Sequence, residues 1–215
     1  MPKLGLGLGL AFINEPFGEN INGLIGKRYS GYFGSLVLPN LDNSQDNVNF
    51  ADTFPFTGEI NQLTKIESFT SNADNYSWEW LGYFKAATTE SYTFYTNSDD
   101  ASYLWIGDLA TSGYTKNNAT VKNGGLHGPT ENSGSVNLIA GNFYPIRIQF
   151  GEAGGGDIMT VSFSTSTISK TTNGLGYYFT KAPSIAPPFV ETFYIVTDEN
   201  DILKTDTEDL IIYGT

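Results

Sequence analysis

The stretch Ser91–Gly107, SYTFYTNSDDASYLWIG, decides how this sequence folds. Aromatic and polar residues alternate along its first half, which is the period-two pattern of a strand with one buried face. A second apolar run, Tyr103–Ile106, follows soon after two adjacent aspartates, Asp99 and Asp100. The pattern predicts two successive β-strands, with the two carboxylates where one strand ends.

The adjacent carboxylates restrict what this junction can be. Neighbouring side chains on an extended strand point to opposite faces, so Asp99 and Asp100 share one site only if the backbone bends or flips. Two like charges placed together raise the free energy unless a cation or solvent offsets them. From the residues alone, the pair is either a solvated turn or a cation site.

The composition indicates an all-β protein. The chain has 215 residues, with 13 Tyr, 15 Phe and 24 Gly, and only 16% of its residues are charged. Aromatic residues favour strands and glycine favours tight turns. The net charge is −12, and the 11 Lys and Arg are scattered rather than forming a basic stripe, so no nucleic-acid partner is expected. The acidity fits solubility or cation-dependent binding.

Several function classes are disfavoured by what the sequence lacks. It has no Cys, which excludes disulfides, thiolate metal sites and Cys nucleophiles. It has none of the common hydrolase or nucleotide-binding motifs, and adjacent aspartates chelate better than they span a glycosidic bond. Its single histidine, His127, has no marked partner and is expected to be a packed or turn residue. We therefore predict no enzymatic activity, and no membrane insertion because no apolar run of about 18 residues occurs.

The termini differ in composition from the rest of the chain. Residues 1–19 are predicted to form an arm. Leu and Gly alternate over its residues 4–10, so this stretch is either a strand packed on the domain or a strand docked on a neighbouring subunit. Residues 183–190 read as a stiff proline-rich linker. Residues 191–215 hold an acidic repeat of two copies, too short to bury a core alone, so homo-oligomerisation or pairing with another protein through the termini is predicted.

Within the main domain, residues 20–182, the organisation is less regular. Residues 34–70 read as a long polar connection and residues 108–135 as a loop rich in Gly, Asn, Thr and Ser. Residues 136–163 read as two strands separated by the glycine-rich segment 151–157. The three Trp are expected in the core.

The segment from Trp80 to Phe163 resembles the PA14/GLEYA domain of bacterial toxins, glycosidase appendages and yeast flocculins and adhesins. The matching pieces occur in the family's order: LGYF (81–84), TTESYTF (88–94), SDDA (98–101), LWIG (104–107), HG (127–128), LIAGNFYPIRIQF (138–150), GEAGGGD (151–157) and VSF (161–163). The resemblance implies an antiparallel PA14-like β-sandwich, here with an N-terminal arm strand and a C-terminal β tail.

The resemblance also implies a Ca²⁺ site. In the family, the two aspartates are joined by a cis peptide and share the ion with the loop after the Tyr144–Ile148 strand. By position, Glu152 matches an Asn ligand of the sugar-binding adhesins, and Gly154 and Gly156 match two carbonyl donors. Glu in place of Asn gives three converging carboxylates, which strengthens cation binding but lessens the positive charge offered to a sugar hydroxyl.

Contacts to a ligand are expected from two loops. Tyr114, Asn117 and Asn118 lie in the 111–125 loop, which in the family approaches the ligand, and Asp157 ends the glycine-rich loop. The family's loop aromatic is replaced by Gly156, so glycan specificity does not transfer.

Arms and acidic tails of this kind resemble those of phage virion proteins. We therefore predict a non-enzymatic virion or extracellular-particle surface protein whose PA14-like domain binds a cell-surface glycan with Ca²⁺ and so mediates host adhesion. The alternative is a purely structural subunit, such as a capsid decoration or a tail or fibre component, in which the domain mediates assembly with other virion proteins.

Overall fold

The computed structural model describes residues 21–35, 47–71, 73–182, 195–196 and 202–203. Those in the main domain form an antiparallel β-sandwich, as predicted. The larger sheet contains β1 (Leu24–Ser30), β2 (Phe56–Leu63), β3 (Tyr76–Lys85), β5 (Ala101–Ile106), β6 (Val121–Asn123), β8 (Phe143–Glu152) and β10 (Tyr178–Phe179). Its order is β2-β1-β3-β8-β5-β6, with β10 also paired to β3. The smaller sheet contains β4 (Glu90–Asp99), β7 (Thr130–Leu138) and β9 (Ile158–Ser164), in the order β7-β4-β9.

The core between the two sheets is aromatic. Phe84 lies at its centre, and its ring centroid is 5.0–5.4 Å from those of Tyr92, Phe94 and Phe163 in the smaller sheet. Trp78 and Trp80 stack with centroids 5.4 Å apart. Such ring pairs stabilise beyond the apolar area that they bury.

A second cluster covers the other face of the larger sheet. Phe33 and Phe50, from the connections around β1 and β2, pack there against Tyr29 and Tyr103, together with Trp105. Because both faces of the sheet are covered, all six residues of β5 are buried. The prediction that the three Trp belong to the core is confirmed.

A buried ionic network joins this second cluster to the strands. Arg147 pairs with Glu79, donates from Nε to the Ala110 carbonyl at 2.9 Å and lies 4.0 Å from the Tyr114 ring centroid. Gln149 donates to Glu79 at 2.9 Å and to the Val48 carbonyl at 2.7 Å. The network therefore ties the segments around residues 48 and 110 to the sheet.

Three strand assignments from the sequence were wrong. Residues 34–70 include an unexpected strand, β2, whose side chains are mostly exposed, so no apolar alternation marks it. Residues 136–163 contain parts of three strands rather than two, because β7 ends at Leu138 and a turn with Gly141 at φ +82° precedes β8. The predicted loop 108–135 contains β6 and the start of β7.

The terminal predictions fall mostly outside the described residues. This applies to the arm (1–19), the linker (183–190) and most of the repeat tail (191–215). The chain divides into two units at Pro183 and Ser184. The described part of the second unit is a short antiparallel hairpin of β11 (Ile195–Val196) and β12 (Ile202–Leu203). In the described segments, the only helical elements are short 3₁₀ turns, and none is long and apolar enough to cross a membrane.

Gly134 of β7 provides a test of this packing. A Cβ atom there would overlap the backbone carbonyl of Thr120, whereas a Cβ atom at Gly128 would meet nothing within 4 Å. We expect Gly134→Ala to lower the free energy of unfolding by roughly 2–3 kcal/mol, since the neighbouring backbone must move. Denaturant unfolding measures the change, and Gly128→Ala is the matched control. Equal stability of the two variants would contradict the close packing of β7 against the Thr120 backbone.

Candidate metal centre

Three carboxylates meet at one end of the sandwich. Asp99 is the last residue of β4, Asp100 precedes β5, and Glu152 ends β8. The pairing of Ala101 with Gly151 places β5 and β8 side by side at this end. One oxygen atom from each carboxylate lies within 4.8 Å of the others, and the Asp99–Asp100 peptide bond is cis. The structure thus brings together the three predicted carboxylate ligands.

Asp100 is held by the main chain of two loops. Its side chain is buried, with the residue 6% exposed. Oδ1 accepts from the His127 backbone N–H at 3.0 Å, and Oδ2 accepts from the Ala153 backbone N–H at 3.0 Å. The two N–H donors fix the orientation of this carboxylate.

Glu152 is the unusual member of the cluster. It is 0% exposed, and neither carboxylate oxygen makes a hydrogen bond of ordinary geometry within the described residues. Its pKa is raised to about 7, first by burial and then by the charges of Asp100 and Asp99, against the lowering effect of the Gly154 N–H. Buried carboxylates normally have partners, so one without a partner requires an explanation such as a bound ion.

Asp99 forms the open side of the cluster. It is partly exposed, and burial followed by the charge of Asp100 raises its pKa. Opposite it lies the glycine loop, where a Cβ atom on Gly156 would be 3.6 Å from the Asp99 Oδ2. Gly155 has φ +110°, which suits glycine, and its N–H donates to Asp74 Oδ1 at 3.2 Å. Gly154 and Gly156 thus belong to a loop that closes over the carboxylates.

Asp157 fastens the end of this loop. Its Oδ2 accepts from the Ser71 N–H at 2.5 Å and from the Tyr76 hydroxyl at 2.6 Å. Burial and this hydrogen bond raise the pKa of Tyr76 well above its usual range. The negative charge of Asp157 also contributes to the raised pKa of Glu152. The geometry gives Asp157 an anchoring position beside the cluster.

The structure does not bring Tyr114, Asn117 and Asn118 to the carboxylates. The carboxylates lie at the Ala101 end of the six-residue strand β5, whereas these three residues follow its other end, Ile106. Asn118 Oδ1 accepts from the Thr115 N–H at 2.8 Å and from Trp105 Nε1 at 3.1 Å, and Tyr114 packs against Trp105. These side chains therefore order their own loop around Trp105.

The segment 124–128 approaches the cluster instead. β6 runs back along β5, with Asn123 opposite Ser102, and so returns the chain to Asp100. Leu126 is 69% exposed there. His127 Nδ1 lies 3.0 Å from the Gly128 carbonyl, and its Nε2 is enclosed without a hydrogen-bond partner in the described part of the chain. The family resemblance included His127 and Gly128, but only the β5–β6 register shows that they adjoin Asp100.

The raised pKa of Glu152 gives a test of the site. Above pH 4.5 the unfolded state releases this proton first, so the metal-free protein loses stability as the pH rises towards about 7. We expect Glu152→Gln to raise the midpoint of thermal unfolding, Tm, of the metal-free protein at pH 8 by roughly 3 °C or more, and to change it little at pH 4. Scanning calorimetry at the two pH values measures this. A variant that is less stable than the parent at pH 8 would contradict the unpaired, buried carboxylate.

Comparison with known proteins supports the fold. Residues 76–165 match the GLEYA domain family, which covers β3 to the end of β9. A search of curated proteins found no match.

Solved structures resemble the chain at low sequence identity. The A domain of epithelial adhesin 6 from Candida glabrata, in complex with Galb1-3GlcNAc, is 16% identical, with TM-score 0.57 over 88% of this chain and 94% of that one. A PA14 sugar-binding domain from an RTX adhesin is 13% identical, with TM-score 0.54 over 74% of this chain and 98% of that one. An anti-sigma factor domain-containing protein from Clostridium clariflavum is 18% identical, with TM-score 0.50 over 75% of this chain.

This chain covers about half the length of the two anti-sigma factor domain-containing proteins that it resembles, namely 48% and 47%. It spans nearly all of the adhesin domains. Residues 76–165 therefore form a GLEYA-type, PA14-like domain.

Proposed function

We propose that this protein is a surface protein that binds a carbohydrate through a Ca²⁺ ion held by Asp99, Asp100 and Glu152. The observation that carries the proposal is the buried Glu152 carboxylate, which lacks a hydrogen bond of ordinary geometry and lies against two further carboxylates. A divalent cation offsets both the burial and the mutual repulsion of these groups. We infer binding rather than catalysis, because each oxygen of Asp100 accepts one main-chain N–H, which fixes the carboxylate and leaves a further lone pair for the ion.

The residues present fit Ca²⁺. Ca²⁺ takes six to eight oxygen ligands in flexible geometry, from carboxylates, backbone carbonyls and water. The side chains of the cluster offer oxygen atoms only, and we assign the carbonyls of Gly154 and Gly156, in the exposed loop that follows Glu152, as further ligands. When bound, the ion supplies coordination positions to which vicinal hydroxyls of a sugar can bind.

The surroundings of the cluster are consistent with a sugar ligand. Asp99 leaves one side of the site partly exposed, and Leu126 places an apolar side chain on the adjacent loop. Apolar side chains cover the C–H faces of sugars, while polar groups fix their hydroxyls. The C. glabrata adhesin domain with this fold was solved with a galactosyl disaccharide. We assign ligand contact to the 124–128 segment, in place of Tyr114, Asn117 and Asn118.

We place this surface protein on a virion or another extracellular particle, where such a domain serves host adhesion.

A structural role in assembly is the second candidate function. One observation favours it: the described part of residues 184–215 is a single hairpin of two-residue strands. An isolated hairpin is marginal in water, which favours its pairing with a partner chain or protein. Deleting Thr197–Thr215 should then lower the oligomeric state measured by light scattering, and an unchanged oligomer would count against assembly through this unit.

Ca²⁺ should stabilise the protein through this site. A ligand that binds only the folded state, at 100 times its dissociation constant Kd, adds about 2.7 kcal/mol to the free energy of unfolding. For a domain of this size, that raises Tm by roughly 5–10 °C. We expect this rise between EDTA and millimolar CaCl₂ in the parent protein and its loss in Asp99→Ala.

The matched control removes the same charge at the other end of β5. Asp108 is exposed in the 3₁₀ turn after β5, so Asp108→Asn should keep the full Ca²⁺-dependent rise. Identical Tm values with EDTA and with Ca²⁺ in the parent would rule out the metal site and leave the cluster as a strained end of the sandwich.

Glycan binding should require the ion. On a glycan array, the parent protein in CaCl₂ is expected to bind a subset of glycans, and EDTA or Asp99→Ala is expected to abolish every one of those signals. Asp108→Asn again serves as the folded control. Glycan binding that persists in the metal-stripped protein would show that the carboxylates are not part of the binding site.

A further inference from the structure

We propose that this site is selective for uncharged or amino-bearing glycans and rejects glycans whose terminal residue carries a carboxylate or sulfate. The inference rests on the proposed function and names the ligand class of that same site. It follows from the charges that surround the three carboxylates.

The centre itself is negative even with its ion. Three ionised carboxylates around a divalent cation leave one unit of negative charge uncompensated. All three belong to the described cluster, with Asp100 and Glu152 buried and therefore poorly screened by solvent. A site with two carboxylates and a neutral amide would be neutral with the same ion.

Two further carboxylates lie on the rim. Asp157 is close enough to raise the pKa of both Asp99 and Glu152. Asp74 is exposed and accepts from the Gly155 N–H at 3.2 Å, so its charge sits against the glycine loop. A ligand that binds beside this loop therefore meets the field of the rim.

Few cationic groups offset this field. Among the charged side chains that shift the pKa of Asp99 or Glu152, only His127 acts in the opposite direction to the acids. Arg28 lies over the Tyr76 ring at 4.7 Å but is paired with Glu59 at 3.1 Å, on the neighbouring strand β2. Lys122 is exposed on β6 opposite Tyr103, three residues along β5 from Asp100.

The chemical consequence concerns the group that completes the ion's coordination. A hydroxyl is neutral and can donate its hydrogen bond to a neighbouring carboxylate oxygen. A terminal carboxylate or sulfate brings a second negative charge next to an already negative centre and has no proton to donate. Like charges at about 5 Å repel strongly where the effective dielectric constant is low, whereas an ammonium group at the same place is attracted.

The experiment uses matched glycans on the full chain in CaCl₂. Each set contains a neutral oligosaccharide, its terminally sialylated and sulfated forms, and a form with a free amino group in place of an acetamide. We expect binding to neutral or amino forms and at least about tenfold weaker binding to the anionic forms of the same glycan. The difference should shrink as NaCl is raised from about 50 to 500 mM, because the rim charges are screened.

Two variants separate charge from shape. Glu152→Gln keeps the size of the side chain and removes its charge, so the penalty against anionic forms should fall to threefold or less. Asp74→Asn keeps an oxygen acceptor for Gly155 and removes a rim charge outside the ion cluster, so the penalty should fall about twofold while neutral binding is unchanged. Asp108→Asn, which alters the net charge equally at the far end of β5, should leave the penalty as in the parent.

Each outcome is decisive. If the parent protein binds sialylated or sulfated forms as well as the neutral ones, the selectivity is wrong while the proposed function stands. A penalty that is the same in Asp74→Asn, Glu152→Gln and the parent would assign it to shape and overturn the electrostatic argument. If no form binds in Ca²⁺, the proposed function fails and this inference fails with it.

Discussion

The register between β5 and β8 is the constraint on which the rest of the site depends. Ala101 pairs with Gly151, which brings the residue before β5 and the residue after Gly151 to the same end of the sheet. A slip by one residue would turn every side chain to the opposite face. Burial on both faces of β8 fixes the register. Ile146, Ile148 and Phe150 face the core between the two sheets. Arg147 and Gln149 form the buried network on the other face. Gly151 completes it, since a Cβ atom there would lie 2.5 Å from the Phe33 ring.

The same framework explains how an unfavourable site persists. A buried Glu152 between two other carboxylates lowers the stability of the metal-free protein, and the Gly154 backbone N–H offsets this only in part. The aromatic core and the covered outer face of the larger sheet hold the strand ends in place regardless. Groups that are costly by themselves and are held by a rigid scaffold are typical of binding sites, because the ligand recovers the free energy that the empty site lacks.

The sequence predicted those features that depend on local pattern. Alternation around Tyr92 and the run before Gly107 marked β4 and β5, and the family resemblance indicated where Glu152 belongs. Strand β2 was not predicted, because its side chains are largely exposed and a strand without a buried face has no periodic pattern of apolar residues. The distance of Tyr114, Asn117 and Asn118 from the carboxylates could not be read from the sequence for a different reason. Residues 111–125 look like one continuous polar loop, but the three-residue strand β6 divides it, so that Asn118 caps a turn at one end of β5 and His127 contacts Asp100 at the other.

One substitution connects stability, metal affinity and ligand choice. An amide at position 152 would keep an oxygen ligand and cost less than a charged carboxylate when buried, but it would leave the ion less firmly held. A carboxylate there strengthens the attraction for a divalent cation by a full charge and, in the absence of the ion, raises the free energy of the folded state, as its elevated pKa shows. The gain on ion binding is therefore larger, and the folded state becomes more dependent on the ion. With the proposed Ca²⁺ bound, the remaining negative charge would act outwards on a sugar ligand, since the ion would be neutralised by its own ligands before a sugar hydroxyl reached it. Tight holding of the cation and weak polarisation of the ligand are thus two consequences of the same residue.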